Sequence, residues 1–166
     1  MTKFSFGVTS QCDDGNHVYM ADIDENISHE NVLDIVCSII ENYHLYMIHI
    51  IKSTHGYNLM SFDKLPLKLI YEINRRYPSI DQTYNELQYY KRGFYTLRIA
   101  DDKTYVNHLG CSTPLYMQSN AHRIFMNSIF NHNFSKNPYF DDFETFRIIR
   151  FYNQKHGVNF NDTSKL

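Results

Sequence analysis

Two aspartates one residue apart, Asp22 and Asp24, close an apolar run that begins near His17. Side chains in a β-strand alternate between faces, so these two carboxylates would point the same way, about 6.5 to 7 Å apart. Two carboxylates on one face at the end of a strand are hard oxygen donors of the kind that Mg²⁺ or Mn²⁺ prefers. The alternative is that residues 22–26 simply open a solvated turn, which is the commoner origin of an isolated Asp-x-Asp. The pair therefore predicts a metal site only if other residues support it.

A second polar stretch follows downstream and contains Ser53 and His55. It lies between an apolar run that ends at Lys52 and another that begins at Tyr57. Two strands joined by a short, polar, Gly-containing connection are the simplest interpretation. Both polar stretches would then lie where a strand leaves the sheet.

The composition limits the kind of protein that can carry these residues. The 166 residues are 43% hydrophobic and 20% charged, which fits one compact domain with a real core. No segment approaches the roughly 20 apolar residues of a membrane span, and the N-terminus lacks the apolar region of a signal peptide, so we expect no membrane partner and a cytoplasmic, intracellular protein. Three widely separated cysteines offer neither a disulfide framework nor a zinc module, which leaves metal chemistry to carboxylates and histidines. The formal net charge of −2 excludes a uniformly basic nucleic-acid coat, but not a local basic cleft.

Predicted strands and helices alternate along the chain. Alternating or β-rich segments occur at 4–10, 18–23, 46–52, 57–62, 94–99 and 104–108, and helical spacing at 29–43, 66–76, 82–91, 119–131 and 144–152. Ser28 and Ser119 are candidate N-caps, Gly93 is a candidate C-cap, and residues 13–16 resemble a hairpin turn. Because the alternation lacks a strict βαβ rhythm, we predict an α+β fold with a mixed or antiparallel sheet packed with helices. Residues 1–166 are interpreted as one domain with a frayed tail at 159–166.

The order of these motifs resembles the catalytic core of the archaeo-eukaryotic primases, the primase-polymerase superfamily. In chain order they are Asp22-x-Asp24 after a strand, a helix, Ser53-x-His55 after a strand, a helix, the isolated Asp81, and then Arg98 in a strand followed by Lys103. The resemblance covers about residues 17 to 108. Each motif is short, but three in the right order are much rarer than any one alone. The resemblance implies a primase-polymerase-like, RRM-like catalytic core.

The resemblance also assigns catalytic acids. Asp22, Asp24 and Asp81 would hold Mg²⁺ or Mn²⁺, as in-line nucleotidyl transfer needs two cations about 3.5 to 4 Å apart. Asp101 or Asp102 compete with Asp81 for the third position. The implied function is a template-directed nucleotidyltransferase, a DNA primase or polymerase that synthesises or extends primers on single-stranded DNA.

The same resemblance assigns residues to the nucleotide. Ser53 and His55 would contact the phosphates of the incoming nucleoside triphosphate, and Arg98 and Lys103 would lie near phosphate or template. Cationic side chains suit that role because they bind phosphate oxygens through charge-assisted hydrogen bonds. The zinc-binding stem of many cellular primases is not recognisable here. A helicase or an accessory replication subunit would then supply template grip and primer initiation.

Two other functions stay open on the sequence alone. One is a catalytically inactive primase-fold module that binds nucleic acid or a protein partner. The other is a rolling-circle replication initiator nuclease, which has a His-x-His metal motif and a nucleophilic tyrosine. His49 and the pair Tyr89-Tyr90 match that pattern in part, but the second histidine is missing.

Overall fold

The computed structural model describes residues 5–23, 27–100 and 103–133. The strands within these ranges are β1 Ser5–Thr9, β2 His17–Ile23, β3 Met47–Ser53, β4 Gly56–Leu65, β5 Thr96–Ala100 and β6 Thr104–Gly110. The helices are α1 His29–Tyr43, α2 Leu67–Arg75, α3 Gln82–Glu86 and α4 Asn120–Asn133, and a π-helix, Leu87–Arg92, continues α3. The predicted helix at 144–152 and the predicted tail at 159–166 lie outside the described residues, as do Asp24, Asp101 and Asp102.

The central sheet contains four strands in the order β2-β4-β3-β6, and every neighbouring pair is antiparallel. β2 and β3 run in the same direction with β4 between them, so β2, α1 and β3 form a split βαβ unit. The register places Ile23 opposite Tyr57, and Lys52 opposite both Tyr57 and Thr104. The end of β2, the β3–β4 turn and the beginning of β6 therefore meet at one end of the sheet.

This arrangement confirms the predicted α+β class and the antiparallel sheet. It differs from an RRM in strand order. In an RRM-like βαββαβ unit the last strand lies beside the first, whereas here β6 lies beside β3.

The first strand belongs to a second sheet, in which β1 pairs antiparallel with β5. The predicted hairpin turn at 13–16 forms, with Gly15 at φ +84° and an antiparallel bridge between Gln11 and His17, but β1 itself pairs with β5 and not with β2. Ser10 explains the difference, because its N–H donates to Tyr95 O at 2.8 Å while its carbonyl accepts the Val18 N–H at 2.9 Å. The chain therefore changes partner at Ser10, and the turn links the two sheets.

The helix predicted at 29–43 is observed as α1 with the same bounds. Its predicted cap is confirmed, since Ser28 Oγ accepts the Asn31 N–H at 3.1 Å. The apolar residues that α1 buries are Val32, Val36, Cys37, Ile39 and Ile40. They pack α1 on the side of the sheet formed by β3 and β6.

The helical stretch predicted at 82–91 forms, but it changes from α-helix to π-helix at Leu87. Gly93 ends it at φ +74°, the left-handed conformation that a glycine C-cap adopts without strain. α2 and α3 both pack against β2. Asn74 on α2 fixes one of these contacts, because its Nδ2 donates to Met20 O at 3.1 Å and its Oδ1 accepts the Tyr19 O–H at 2.9 Å.

The core covers both faces of the central sheet. Consecutive residues are buried in β2, β3 and β4, and consecutive strand residues point to opposite faces. The buried polar side chains on these strands are His17, His49, Asn58, Ser61 and Asp63. Within the described ranges, no helix is long and apolar enough to cross a membrane.

Candidate nucleotide-binding cleft

A cleft of about 350 Å³ opens at the end of the central sheet where β2 stops. Segments from both sheets and from α3 contribute to its walls. Its lining residues are Asp22, Ile23, Ser53, His55, Asn58, Tyr84, Thr96, Leu97, Arg98 and Lys103. Five of the seven residues singled out in the sequence thus surround one cavity.

A hydrogen-bonded chain of three side chains lies in this cleft. Asn58 Nδ2 donates to Asp22 Oδ1 at 2.8 Å, and the Lys103 ammonium donates to Asn58 Oδ1. Asn58 is 5% exposed and Lys103 is 7% exposed, so both are largely removed from bulk water. Asn58 therefore orients an acid and a cation of the cleft at the same time.

Sequence reasoning did not single out Asn58. It is a buried amide in a mostly apolar strand, between Tyr57 and Leu59. Buried amides almost always have hydrogen-bond partners, so a polar residue at such a position indicates a partner on a neighbouring strand. The register supplies it, because Asn58 lies opposite Asp22 in β2.

The β3–β4 connection is the short polar turn that the sequence predicted. Ser53 Oγ donates to Gly56 O at 3.1 Å, and His55 is exposed in the turn. The imidazole of His55 is therefore accessible to a ligand in the cleft. Ser53 has used its single hydroxyl proton within the turn, so it would have to break that bond to donate to a phosphate.

β5 brings Arg98 to the cleft from the second sheet, where Arg98 lies opposite Gly7. The Arg98 side chain is exposed. Tyr84 forms part of the neighbouring wall, and its hydroxyl donates to Thr96 O at 2.8 Å. Burial raises the pKa of Tyr84, and the nearby Asp22 carboxylate raises it further. The Tyr84 hydroxyl is thus protonated at neutral pH and positions β5 against α3.

Asp81 lies next to Asp22 along the backbone but directs its carboxylate elsewhere. Its N–H donates to Asp22 O at 2.8 Å. Its carboxylate is the N-cap of α3 and accepts the Tyr84 N–H at 3.0 Å. Asp81 is not among the described residues that line the cleft, so its role as the third metal-binding acid stays a prediction.

The described residues supply one carboxylate to the cleft, that of Asp22. Its chemistry fits Mg²⁺ or Mn²⁺, which prefer carboxylate oxygens. No group of three or more His, Cys, Asp or Glu side chains within the described ranges is placed to hold a metal ion. A metal site here would therefore also need Asp24, two positions after Asp22.

His49 lies outside the cleft, in the core. It is fully buried, with its ring 5.3 Å from that of Phe62 and 5.7 Å from that of His108. Burial lowers the pKa of His49 well below its usual value. A nuclease of the rolling-circle type needs its metal-binding histidine where DNA can reach it, and His49 does not have that access.

We compared the chain with protein-family models, with curated proteins and with solved structures, and none of the three comparisons found a match. The likeness to primases therefore rests on the order of short motifs. The cleft is the feature of the structure that bears on function.

Proposed function

We propose that this protein is a template-directed nucleotidyltransferase, a DNA primase or polymerase core that uses Mg²⁺ or Mn²⁺. The observation that carries the proposal is the convergence of Asp22, His55, Arg98 and Lys103 on one cleft from four separate segments. Its substrates would be nucleoside triphosphates and a single-stranded DNA template inside the cell. A helicase or an accessory replication subunit would complete the machinery.

The charges of the cleft suit a triphosphate. Its described lining carries two basic residues, Arg98 and Lys103, against one acid, Asp22. A guanidinium binds phosphate oxygens in a bidentate manner and an ammonium binds them as a point charge, so the two are complementary. The volume of about 350 Å³ also falls at the lower end of the range of small-molecule sites, roughly 300 to 1,000 Å³.

The acids of the cleft have a different role in this proposal. Asp22 and Asp24 would hold the divalent cation, with a third acid from Asp81, Asp101 or Asp102. When bound, such a cation stabilises negative charge on the attacking and leaving oxygens of nucleotidyl transfer. Among the described residues, Asn58 contributes by holding the Asp22 carboxylate in one orientation.

The cationic residues act on the substrate directly. Arg98 and Lys103 would neutralise the charge that develops on the triphosphate, and the exposed His55 would contact a phosphate at the mouth of the cleft. Because the Lys103 ammonium is largely buried and bonded to Asn58, it is already positioned before the substrate arrives. Preorganised charges of this kind stabilise a transition state without reorganisation at the moment of reaction.

A second candidate is a catalytically inactive module of the same fold that binds nucleic acid or a partner. One observation favours it: the Asp81 carboxylate caps α3, which leaves Asp22 as the single carboxylate that the described residues bring to the cleft. Such a module would keep the phosphate-binding cations but not transfer nucleotides.

Nucleotide incorporation on single-stranded DNA tests the proposal. Wild type and Asp22→Asn are incubated with Mg²⁺ or Mn²⁺, with and without a primer, and melted in parallel. Asp22→Asn keeps an acceptor oxygen for Asn58, so we expect a nearly unchanged melting temperature and no incorporation. Asp13→Asn is the matched control, because Asp13 is exposed in the turn at the opposite end of β2. Incorporation by Asp22→Asn at the wild-type level would refute the assigned role.

Calorimetry with Mn²⁺ and a nucleoside triphosphate separates the two candidates. A transferase binds both ligands together, and Asp24→Asn and His55→Ala bind them more weakly. Binding by a wild type that incorporates nothing with either metal supports the inactive module. Absence of any heat change in the wild type contradicts the transferase and favours the module that binds nucleic acid or a partner.

A further inference from the structure

Three tyrosines form an ordered cluster on the surface of α2 and the π-helix. The rings of Tyr71 and Tyr89 are stacked, with centroids 4.4 Å apart and an interplanar angle of 14°. Tyr90 meets both rings edge-on, at 5.3 Å from Tyr71 and 4.8 Å from Tyr89. We call these three residues the tyrosine cluster.

Tyr90 is the exposed member of the tyrosine cluster. Its exposed fraction is 68%, whereas Tyr71 is buried. The interaction with the Tyr90 hydroxyl raises the pKa of Tyr71. An exposed ring held by two ring contacts loses little conformational entropy when a flat ligand stacks on it.

Three exposed cations lie on the elements that carry the tyrosine cluster, one in the last turn of α2 and two in the last turn of the π-helix. They are Arg75, Lys91 and Arg92, whereas Arg76 lies over the Tyr43 ring, 5.7 Å from its centroid. The Arg75 guanidinium lies 5.5 Å from the centroid of Tyr71. Within the described part of the chain, no carboxylate lies within ion-pair distance of these three side chains.

The acids on the same elements do not cancel this charge. They are Glu72 and Glu86, both exposed, and Glu72 lies 3.9 Å from the Lys68 ammonium. Three cations against two acids leave the surface positive. It therefore combines an exposed aromatic face with cations that have no anionic partner among the described residues.

The basic surface also approaches the cleft. Arg92 and Tyr84 belong to one continuous helical segment, because the π-helix that ends at Arg92 follows α3 directly. Tyr84 lines the cleft beside Asp22. The surface around Tyr90 thus lies on the same helical segment as one wall of the cleft.

We propose that the tyrosine cluster and its three cations bind single-stranded nucleic acid, with one base stacked on Tyr90 and adjacent phosphates held by Arg75, Lys91 and Arg92. Aromatic rings that stack bases beside cations that bind the backbone are the usual elements of single-strand recognition. An acidic peptide would use the cations but gain little from a fixed, exposed ring. This binding site deepens the proposed function. It depends on the proposed function in one respect, which is that the bound strand would be the template.

Fluorescence anisotropy with a labelled oligonucleotide of mixed sequence, without divalent metal or triphosphate, tests the binding directly. Stacking of one base contributes enough that Tyr90→Ala should weaken binding by about 5- to 150-fold. Tyr90→Phe keeps the ring and should bind within about twofold of wild type, since stacking uses the π-face. Phe125→Ala is the matched control, because Phe125 is an exposed aromatic on α4.

Salt dependence tests the cations separately. Each lost phosphate contact should reduce the slope of log K against log salt by about 0.7 for a single strand, so Lys91→Gln and Arg92→Gln should each do so. Arg123→Gln, an exposed cation on α4, should leave the slope unchanged. Melting curves of all variants identify any that fail to fold.

Three results would overturn the inference. They are equal binding by Tyr90→Ala and wild type, equal affinity for duplex and single strand, and binding of polyglutamate but not of the oligonucleotide. Nucleotide incorporation is read separately. If Tyr90→Ala loses single-strand binding and the wild type incorporates no nucleotide, the binding surface is supported and the catalytic proposal is refuted. If Tyr90→Ala binds like the wild type and the wild type incorporates nucleotide, the catalytic proposal is supported and the binding surface is refuted.

Discussion

Replacing Asn58 by leucine should destabilise the protein more than any ordinary surface change. Asn58→Leu keeps the approximate size of the side chain but removes both of its hydrogen bonds. One of them is to the Asp22 carboxylate and the other is to the Lys103 ammonium. The change therefore isolates the polar contribution of this one amide.

The size of the effect follows from the burial of the two partners. Hydrogen bonds to charged groups contribute about 1.5 to 3 kcal/mol each. Asp22 is half-buried beside an open cleft, so water can replace Asn58 there at little cost. Lys103 is 7% exposed, so most of the loss arises at its ammonium. We expect the free energy of unfolding to fall by about 2 to 3 kcal/mol, which lowers the melting temperature by about 5 to 10 °C in a chain of this size.

Urea unfolding at neutral pH measures this loss. Asn42→Leu is the matched control, because Asn42 is exposed on α1 and donates to Ser38 O at 2.9 Å. Its free energy of unfolding should change by no more than about 0.5 kcal/mol. If Asn58→Leu is as mild as Asn42→Leu, the hydrogen-bonded chain does not stabilise the cleft and the reasoning is refuted.

Asn58→Asp provides a second arm with a different pH dependence. The new carboxylate can still accept from Lys103, but it lies against the Asp22 carboxylate. Two adjacent carboxylates cannot both stay ionised at low cost, so one of their pKa values must rise. The destabilisation should therefore decrease as the pH is lowered from 7 towards about 5. A constant difference from wild type across this range would contradict the contact.

Two further predictions concern acids outside this chain of hydrogen bonds. Burial raises the pKa of Asp63 to about 6 from the ordinary 3.8. The folded state therefore holds this proton more tightly than the unfolded state, so the contribution of Asp63 to stability is greatest below about pH 4 and falls by about 3 kcal/mol as the pH rises to about 6. In urea unfolding at pH 4 and pH 7, Asp63→Asn should not show this decrease in stability. If Asp63→Asn keeps the pH dependence of the wild type, the prediction is wrong. Asp81→Ala should cost about 1 kcal/mol through the lost cap of α3, while Asp81→Ser should restore stability; incorporation by Asp81→Ser then decides whether Asp81 is also a catalytic acid.

Local elements were predictable because local spacing determines them. α1 needs only its apolar periodicity and the Ser28 hydroxyl, and the β3–β4 turn needs only a short polar connection between two apolar runs. The partner of β1 was not predictable in this way. The sequence of a strand does not indicate which distant strand it pairs with. The pairing of β1 with β5 depends on long-range contacts around Ser10.

The residues of the candidate site were likewise predictable only where the signal lies in the local sequence. Asp22, His55 and Arg98 were found because each lies at or near a strand in a sequence order that resembles a known family. Asn58 was missed because its importance exists only in the register that places it opposite Asp22. Asp81 was ambiguous for a physical reason: an acid after an apolar residue and before a helix is equally well placed to be an N-cap, and it forms that cap.

The strand order also explains why a lysine, and not a shorter polar residue, reaches Asn58. Lys103 immediately precedes β6, and β3 lies between β6 and β4. Neighbouring strands are about 4.8 Å apart, so β6 and β4 are separated by about twice that distance. A side chain that crosses the line of β3 must be long and must carry its donor at the tip, which describes a lysine. The pairing of β6 with β3 therefore places the Lys103 ammonium at the cleft.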